Sequence, residues 1–252
     1  MNTTAVQPPS LPASTPFPPR FSYWLSPAAA LVLSGTVSMI CLLSAGPLHG
    51  ALFGATLVAA LLTPVLAAGD CDWRSLLLVI AGVVVGANAG PSVAMLQGEL
   101  NGRLFSTFFA VLATFVLALA GVTALLIRCQ VPAAIAGAIV VVSALAWLAW
   151  PIWLSHWLPG NDSLVAILSP AHPLLTIDGA ISREGGVTWL EHRIMYAKLT
   201  VLGQHVFTRR SQGVAAAALW HGTIGVISIA MAFGLQMCRV RLGRRNLREV
   251  AG

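Results

Sequence analysis

Between Arg20 and Asp70 the chain carries no Asp, Glu, Lys or Arg, and the middle of this apolar run holds the turn-forming sequence Gly46-Pro47-Leu48-His49-Gly50. A run of that length accommodates two membrane-crossing helices of about twenty residues each. They are placed at 27–45 and 51–68, with Ser26 as N-cap and Pro27 in the first turn of the first. The cluster Asp70, Asp72 and Arg74 marks the next connection, and a third apolar run covers 75–96. Gln97, Gly98, Glu99 and Arg103 separate it from a fourth at 104–127. A fifth, 132–158, is longer than one crossing needs and predicts tilt or a kink at Pro151. After a long connection, 159–212, the sixth covers 213–237.

The expected fold is therefore all-α, a polytopic membrane helix bundle of about six transmembrane helices within 26–238. A tail rich in Pro, Ser and Thr, 1–25, precedes it and reads as disordered; it lacks the basic start and short apolar core of a secretory signal. Composition agrees: 9% of residues are charged, against about 25% in soluble domains, and mean hydropathy is +0.83. The solvent is lipid. The formal charge of +6 is topological and not a nucleic-acid footprint, because the arginines flank apolar spans.

Arg239, Arg241, Arg244, Arg245 and Arg248 in the basic tail 239–252 place the C-terminus in the cytoplasm of a bacterial inner membrane. Six spans then bring the N-terminus to the same side, along with Arg74 and Arg128. The loop 159–212 lies outside despite Arg183, Arg193, Lys198, Arg209 and Arg210, since long loops obey the rule less strictly. This threading puts Cys71, Cys129 and Cys238 at the reducing side. It also puts His49, His156, His172, His192, His205 and His221 outside or in the outer half of a span.

Within the loop, Thr188 and Glu191 form a capping-box pair, and Leu190, Ile194, Ala197 and Val201 recur at helical spacing. A short amphipathic helix over 189–202 is expected on the outer interface, with Trp189 and Tyr196 at headgroup level. The apolar pieces 164–168 and 174–177 are too short to span and are broken by Pro170 and Pro173. They are expected as a lid over the bundle, the alternative being a re-entrant segment held by internal hydrogen bonds.

Several groupings carry candidate chemistry. Gly82, Gly86, Gly90, Ala94 and Gly98 recur every fourth residue and predict a helix-packing seam. Asn88 and Pro91 are a possible cavity or hinge, because proline frees a backbone carbonyl in mid-membrane. Trp147, Trp150, Trp153 and Trp157, joined by Trp189 and Trp220, read as an aromatic belt, with a quinone or headgroup site as the sharper reading. His156 and His221, with His49, are a possible outer-face polar or haem b site. His172, His192 and His205 with Glu191 or Asp178 are a possible outer-loop site, though no zinc-ligand spacing is present and no metal is expected. Ser92 and His221 are the one pair for an intramembrane hydrolase, without the G-x-S-G sequence such proteases carry. There is no phosphate-binding G-x-x-x-x-G-K-S/T sequence.

In span order alone the layout resembles the membrane half of exporter-type ABC permeases, with six spans, inward termini and a long outer segment before the last. No motif carries the likeness residue by residue. It departs from that pattern in its proline-rich start and its very short loop at 70–74. The expectation is a transport or export component, or the membrane subunit of a larger complex, partnered by the lipid bilayer and by other membrane subunits or a cytoplasmic ATPase. It is expected to lack catalysis and cofactors of its own. A haem- or quinone-linked electron-transfer subunit is the alternative, and an intramembrane hydrolase the second. The scarcity of charge within the spans argues against an ion-coupled pump.

Overall fold

Apolar runs in lipid must satisfy their backbone internally, which leaves the helix as the local solution, and every regular element among the described residues is helical. The computed structural model describes residues 19–45, 49–69, 72–153, 168–183 and 214–251. The elements are α1 (Pro19–Ala45), α2 (His49–Ala68), α3 (Trp73–Ala87), α4 (Ala89–Leu96), α5 (Gly102–Arg128) and α6 (Ala133–Trp153), then a 3-10 turn (Ser169–Ala171), α7 (Pro173–Arg183) and α8 (Val214–Ala251). Among the described residues, five stretches are long and apolar enough to cross a membrane: Gly50–Ala68, Trp73–Leu96, Gly102–Arg128, Ala133–Pro151 and Val214–Arg239. The apolar part of α1, Pro27–Leu43, is shorter.

The close approaches between helices fix their directions. Along α3 and α4, Gly82, Gly86 and Gly90 meet Pro27, Leu31 and Ser38 of α1 in rising order, so the two run parallel. Gly222 and Gly225 of α8 likewise meet Thr114 and Leu117 of α5 in rising order. The start of α6, at Gly137, lies by the end of α2, at Pro64 and Ala68. Leu76 at the start of α3 shares a cluster with Ala120 late in α5. Hence α1, α3 and α6 point one way, and α2, α5 and α8 the other. The Gln130 side-chain amide meets the Arg239 guanidinium, which ties the end of α5 to α8 at the same end of the bundle.

In α2's apolar stretch 61% of residues are buried, against 22% in α8's, so α2 is central and α8 peripheral. The core is built from small and branched residues such as Ala55, Ala59, Val79, Val83, Val111 and Val116. The outward faces carry Val32, Ile40, Leu43, Val142, Leu219, Val226 and Met231. A surface of that kind is tenable against lipid tails and not against water.

The elements depart from the sequence boundaries in several places. The first helix begins at Pro19, inside the expected tail 1–25, and the last continues to Ala251 through the basic segment 239–252. The third apolar run is not one helix, because it breaks at Asn88 between α3 and α4. Gly98 leaves the seam altogether: with φ of +80° it closes α4, its N–H donating to the Met95 carbonyl and that of Glu99 to Ala94. Left-handed backbone after a helix is where glycine is favoured for lack of a Cβ. Gln130 takes the same conformation after α5, at φ of +70°. The expected amphipathic helix at 189–202 and the far end of the fifth run, 154–158, lie outside the described residues.

Candidate functional site

The seam on α3 and α4 works by matching small residues on α1. A Cβ on Gly82 would stand 2.9 Å from the Pro27 carbonyl oxygen, one on Gly86 would stand 2.6 Å from the Leu31 oxygen, and one on Gly90 would stand 2.9 Å from the Ser38 oxygen. These contacts are backbone, so no side chain could move aside. Ala94 continues the line and is buried. At the break, Pro91 has no N–H for the Ala87 carbonyl four residues earlier. The Ser38 hydroxyl replaces it, donating to Ala87 at 2.8 Å and accepting from the Gly90 N–H at 3.1 Å. The Asn88 amide donates to the Val84 carbonyl of its own helix at 2.7 Å, which leaves Oδ1 buried without a partner. The carbonyl freed by Pro91 is therefore engaged by α1, and Asn88 supplies a buried side-chain oxygen without a partner at the junction.

A second seam, which the sequence reading missed, joins α5 to α8. A Cβ on Gly121 would lie 2.8 Å from the Gly225 oxygen, and one on Gly225 would lie 2.8 Å from the Leu117 carbonyl carbon. The signal was present as Gly121, Gly222 and Gly225, but these lie on two helices and show no repeat within either one.

Short as it is, α7 is enclosed: every residue from His172 to Asp178 is buried, so this segment is not an exposed lid. The sequence explains its start. His172 is the N-cap, Pro173 occupies the first helical position, and His172 Nδ1 accepts the Leu175 N–H at 3.2 Å. Since Nδ1 accepts, Nε2 bears the proton and donates to the Leu148 carbonyl of α6 at 3.2 Å. The neighbouring Trp147 carbonyl, whose helical donor is missing because residue 151 is proline, also faces this ring. His172 is 0% exposed, and burial pushes its imidazole down to about 3, against the pull of the Leu148 carbonyl. The indole of Trp150 meets the ring edge-on at 5.8 Å. Asp178, on the same helix, is 5% exposed. The sequence alone places both in an outer loop.

Beside α7 an apolar groove of about 350 Å³ opens between α5, α6 and α8. Phe115 and Leu119 form its floor, Ser143 and Trp147 one wall, and Trp220 and His221 the other. His221 is 4% exposed. Its Nδ1–H donates to the Ala217 carbonyl at 2.9 Å, and its ring meets Phe115 edge-on at 5.2 Å. That bond fixes the tautomer, so Nε2 keeps its lone pair, with no hydrogen-bond partner among the described residues. Phe115 is at the midpoint of α5 and Ser143 at the midpoint of α6. Ser143, and His221 through its contact with Phe115, are thus level with the middles of α5 and α6 rather than with their ends.

The histidines are only partly gathered. His172 and His221 are linked through Trp147, which touches the first while lining the groove with the second. A bis-histidine haem is not assembled by this pair, because both nitrogens of His172 are hydrogen-bonded. Nor is Ser92 paired with His221, whose Nε2 has no such partner. His49 begins α2. His156, His192, His205 and Glu191 lie outside the described residues, and among the described ones no group of three metal-binding side chains occurs. No family model, no curated protein and no solved structure matches this chain.

Proposed function

We propose that this chain is a multi-pass membrane component of a transport or export assembly. In this reading it crosses the bilayer six times, with both termini cytoplasmic, and works with other membrane subunits or a cytoplasmic ATPase. The observation that carries it is α7, a helix too short to cross a bilayer yet enclosed by the bundle, set beside a groove that opens sideways toward lipid. Interrupted helices inside an apolar bundle are tolerated where they line a path for a substrate. The buried Asp178 points the same way, because an ionisable group inside a bundle is expensive and marks a functional position. A substrate arriving from the lipid would enter between α6 and α8, where nothing but Ser143 and His221 interrupts the apolar walls.

The test is reconstitution into vesicles together with the ATP-hydrolysing fraction of the native membrane, following the transbilayer movement of fluorescent lipid analogues. ATP-dependent redistribution is expected, and a Ser143→Trp variant that fills the groove should abolish it. Redistribution at the same rate in vesicles lacking the chain would refute the transport reading.

A further inference from the structure

We propose that the groove between α5, α6 and α8 binds the head of a membrane-soluble phenol, whose ring hydroxyl donates a hydrogen bond to His221 Nε2 while its tail leaves between α6 and α8 into lipid. The inference rests on the groove's being open to molecules from the bilayer, as proposed above, and adds the chemical class it accepts.

Five observations define that class. His221 is buried and its Nδ1–H is already committed to the Ala217 carbonyl, so the nitrogen left for the groove is an acceptor and calls for a donor. An acceptor that faces an apolar groove without a partner is costly, and an O–H group supplies the partner without bringing a charge among the helices. No charged side chain lines the groove, which excludes an ionised head for the same reason. Its aromatic surfaces, Phe115, Trp147 and Trp220, suit a flat ring by edge and offset contacts. The flanks are open: Ile139 on α6 is 52% exposed and Trp220 on α8 is 56% exposed, so an alkyl or isoprenoid tail has a way out. At about 350 Å³ the volume is at the lower end for small-molecule sites, enough for one substituted ring and too small for a whole lipid. We assign the Ser143 hydroxyl, which lines the facing wall, as donor to the same ring oxygen.

The experiment is calorimetric titration of the full chain in detergent with para-decylphenol and with para-decylanisole, which has the same shape but no O–H. The phenol should bind about tenfold tighter, the worth of one buried hydrogen bond. In His221→Phe, which keeps the edge contact with Phe115, the two ligands should bind alike. Ser143→Ala should weaken both, since each offers an oxygen to the serine. Equal binding of the two ligands to the parent protein, with both lost in Ser143→Trp, would overturn the hydrogen-bond proposal and leave the groove as an entrance. Binding that Ser143→Trp does not affect, or no binding at all, would overturn the proposal and the open groove together.

Discussion

Ser38 is the most informative residue to perturb, because its one oxygen closes the helix break that Pro91 opens. Ser38→Ala removes the bond to the Ala87 carbonyl and the bond from the Gly90 N–H together. Interhelical hydrogen bonds in membranes are worth about 0.6 kcal/mol on average and up to about 1.7. Two of them give a loss of about 1–3 kcal/mol, with no cavity term to add for a single oxygen atom. The cause is separable from generic packing damage. Pro91→Ala returns an N–H to position 91, where it reaches Ala87 within the helix, and Ser38 then has only Gly90 left to serve. In that background Ser38→Ala should cost about half as much, a coupling of roughly 0.6–1.7 kcal/mol in a double-mutant cycle. The assay is reversible denaturation in mixed micelles for the parent, both single variants and the double variant. Additivity within about 0.3–0.5 kcal/mol would show that the serine does not compensate for the proline, and the account of the break would fail.

Three further outcomes follow from the packing. Gly86→Leu should destabilise by about 3 kcal/mol or more by driving a side chain into the α1 backbone. A leucine at Gly102, where a Cβ meets nothing within 4 Å, should leave the unfolding free energy within about 0.5 kcal/mol of the parent's. The His172 imidazole is depressed in the folded state to about 3 from 6.5, so the unfolded chain binds the extra proton as pH falls below 6.5. Its contribution is complete above that value and is lost toward acid, by about 2 kcal/mol between pH 7 and pH 5. Subtracting the pH profile of His172→Phe from that of the parent measures it, and a flat difference would show that this ring is not held neutral by burial.

The sequence was most legible where one rule dominates. Lipid forces an unbroken hydrophobic run to be helical, so the runs at 51–68, 75–96 and 104–127 found their helices within a few residues, except where Pro91 and Asn88 split one, and those at 132–158 and 213–237 found where their helices start. Proline's missing donor was readable, but Ser38, fifty-odd residues away, gave no local sign of being the group that replaces it. The small-residue stripe on α3 announced a close neighbour without naming α1. Gly98 matched the spacing and lost to its own backbone, since a residue that ends a helix at positive φ cannot also lie on that helix's face. The site was harder still. His172 and Asp178 stand among prolines and polar residues that read as loop, and only the packing of α7 against α5 and α8 takes them inside. His221 was visible as a histidine in a span; that it lines one groove with Ser143 is a property of three helices at once.

The central claim is that this bundle is threaded through lipid, with α5 carrying the chain from one face to the other. Cys129 is exposed just beyond the end of α5 and Cys238 is exposed on α8 near Arg239, at the same end of the bundle, whereas Gly98 lies ahead of the start of α5. In a chain that keeps one of these positions as cysteine at a time, membrane-impermeant maleimide should label Gly98→Cys in intact cells. It should reach Cys129 and Cys238 only after the cytoplasmic face is opened. Labelling of Gly98→Cys and Cys129 from the same face would mean that α5 does not cross, and the architecture argued from its direction would be wrong.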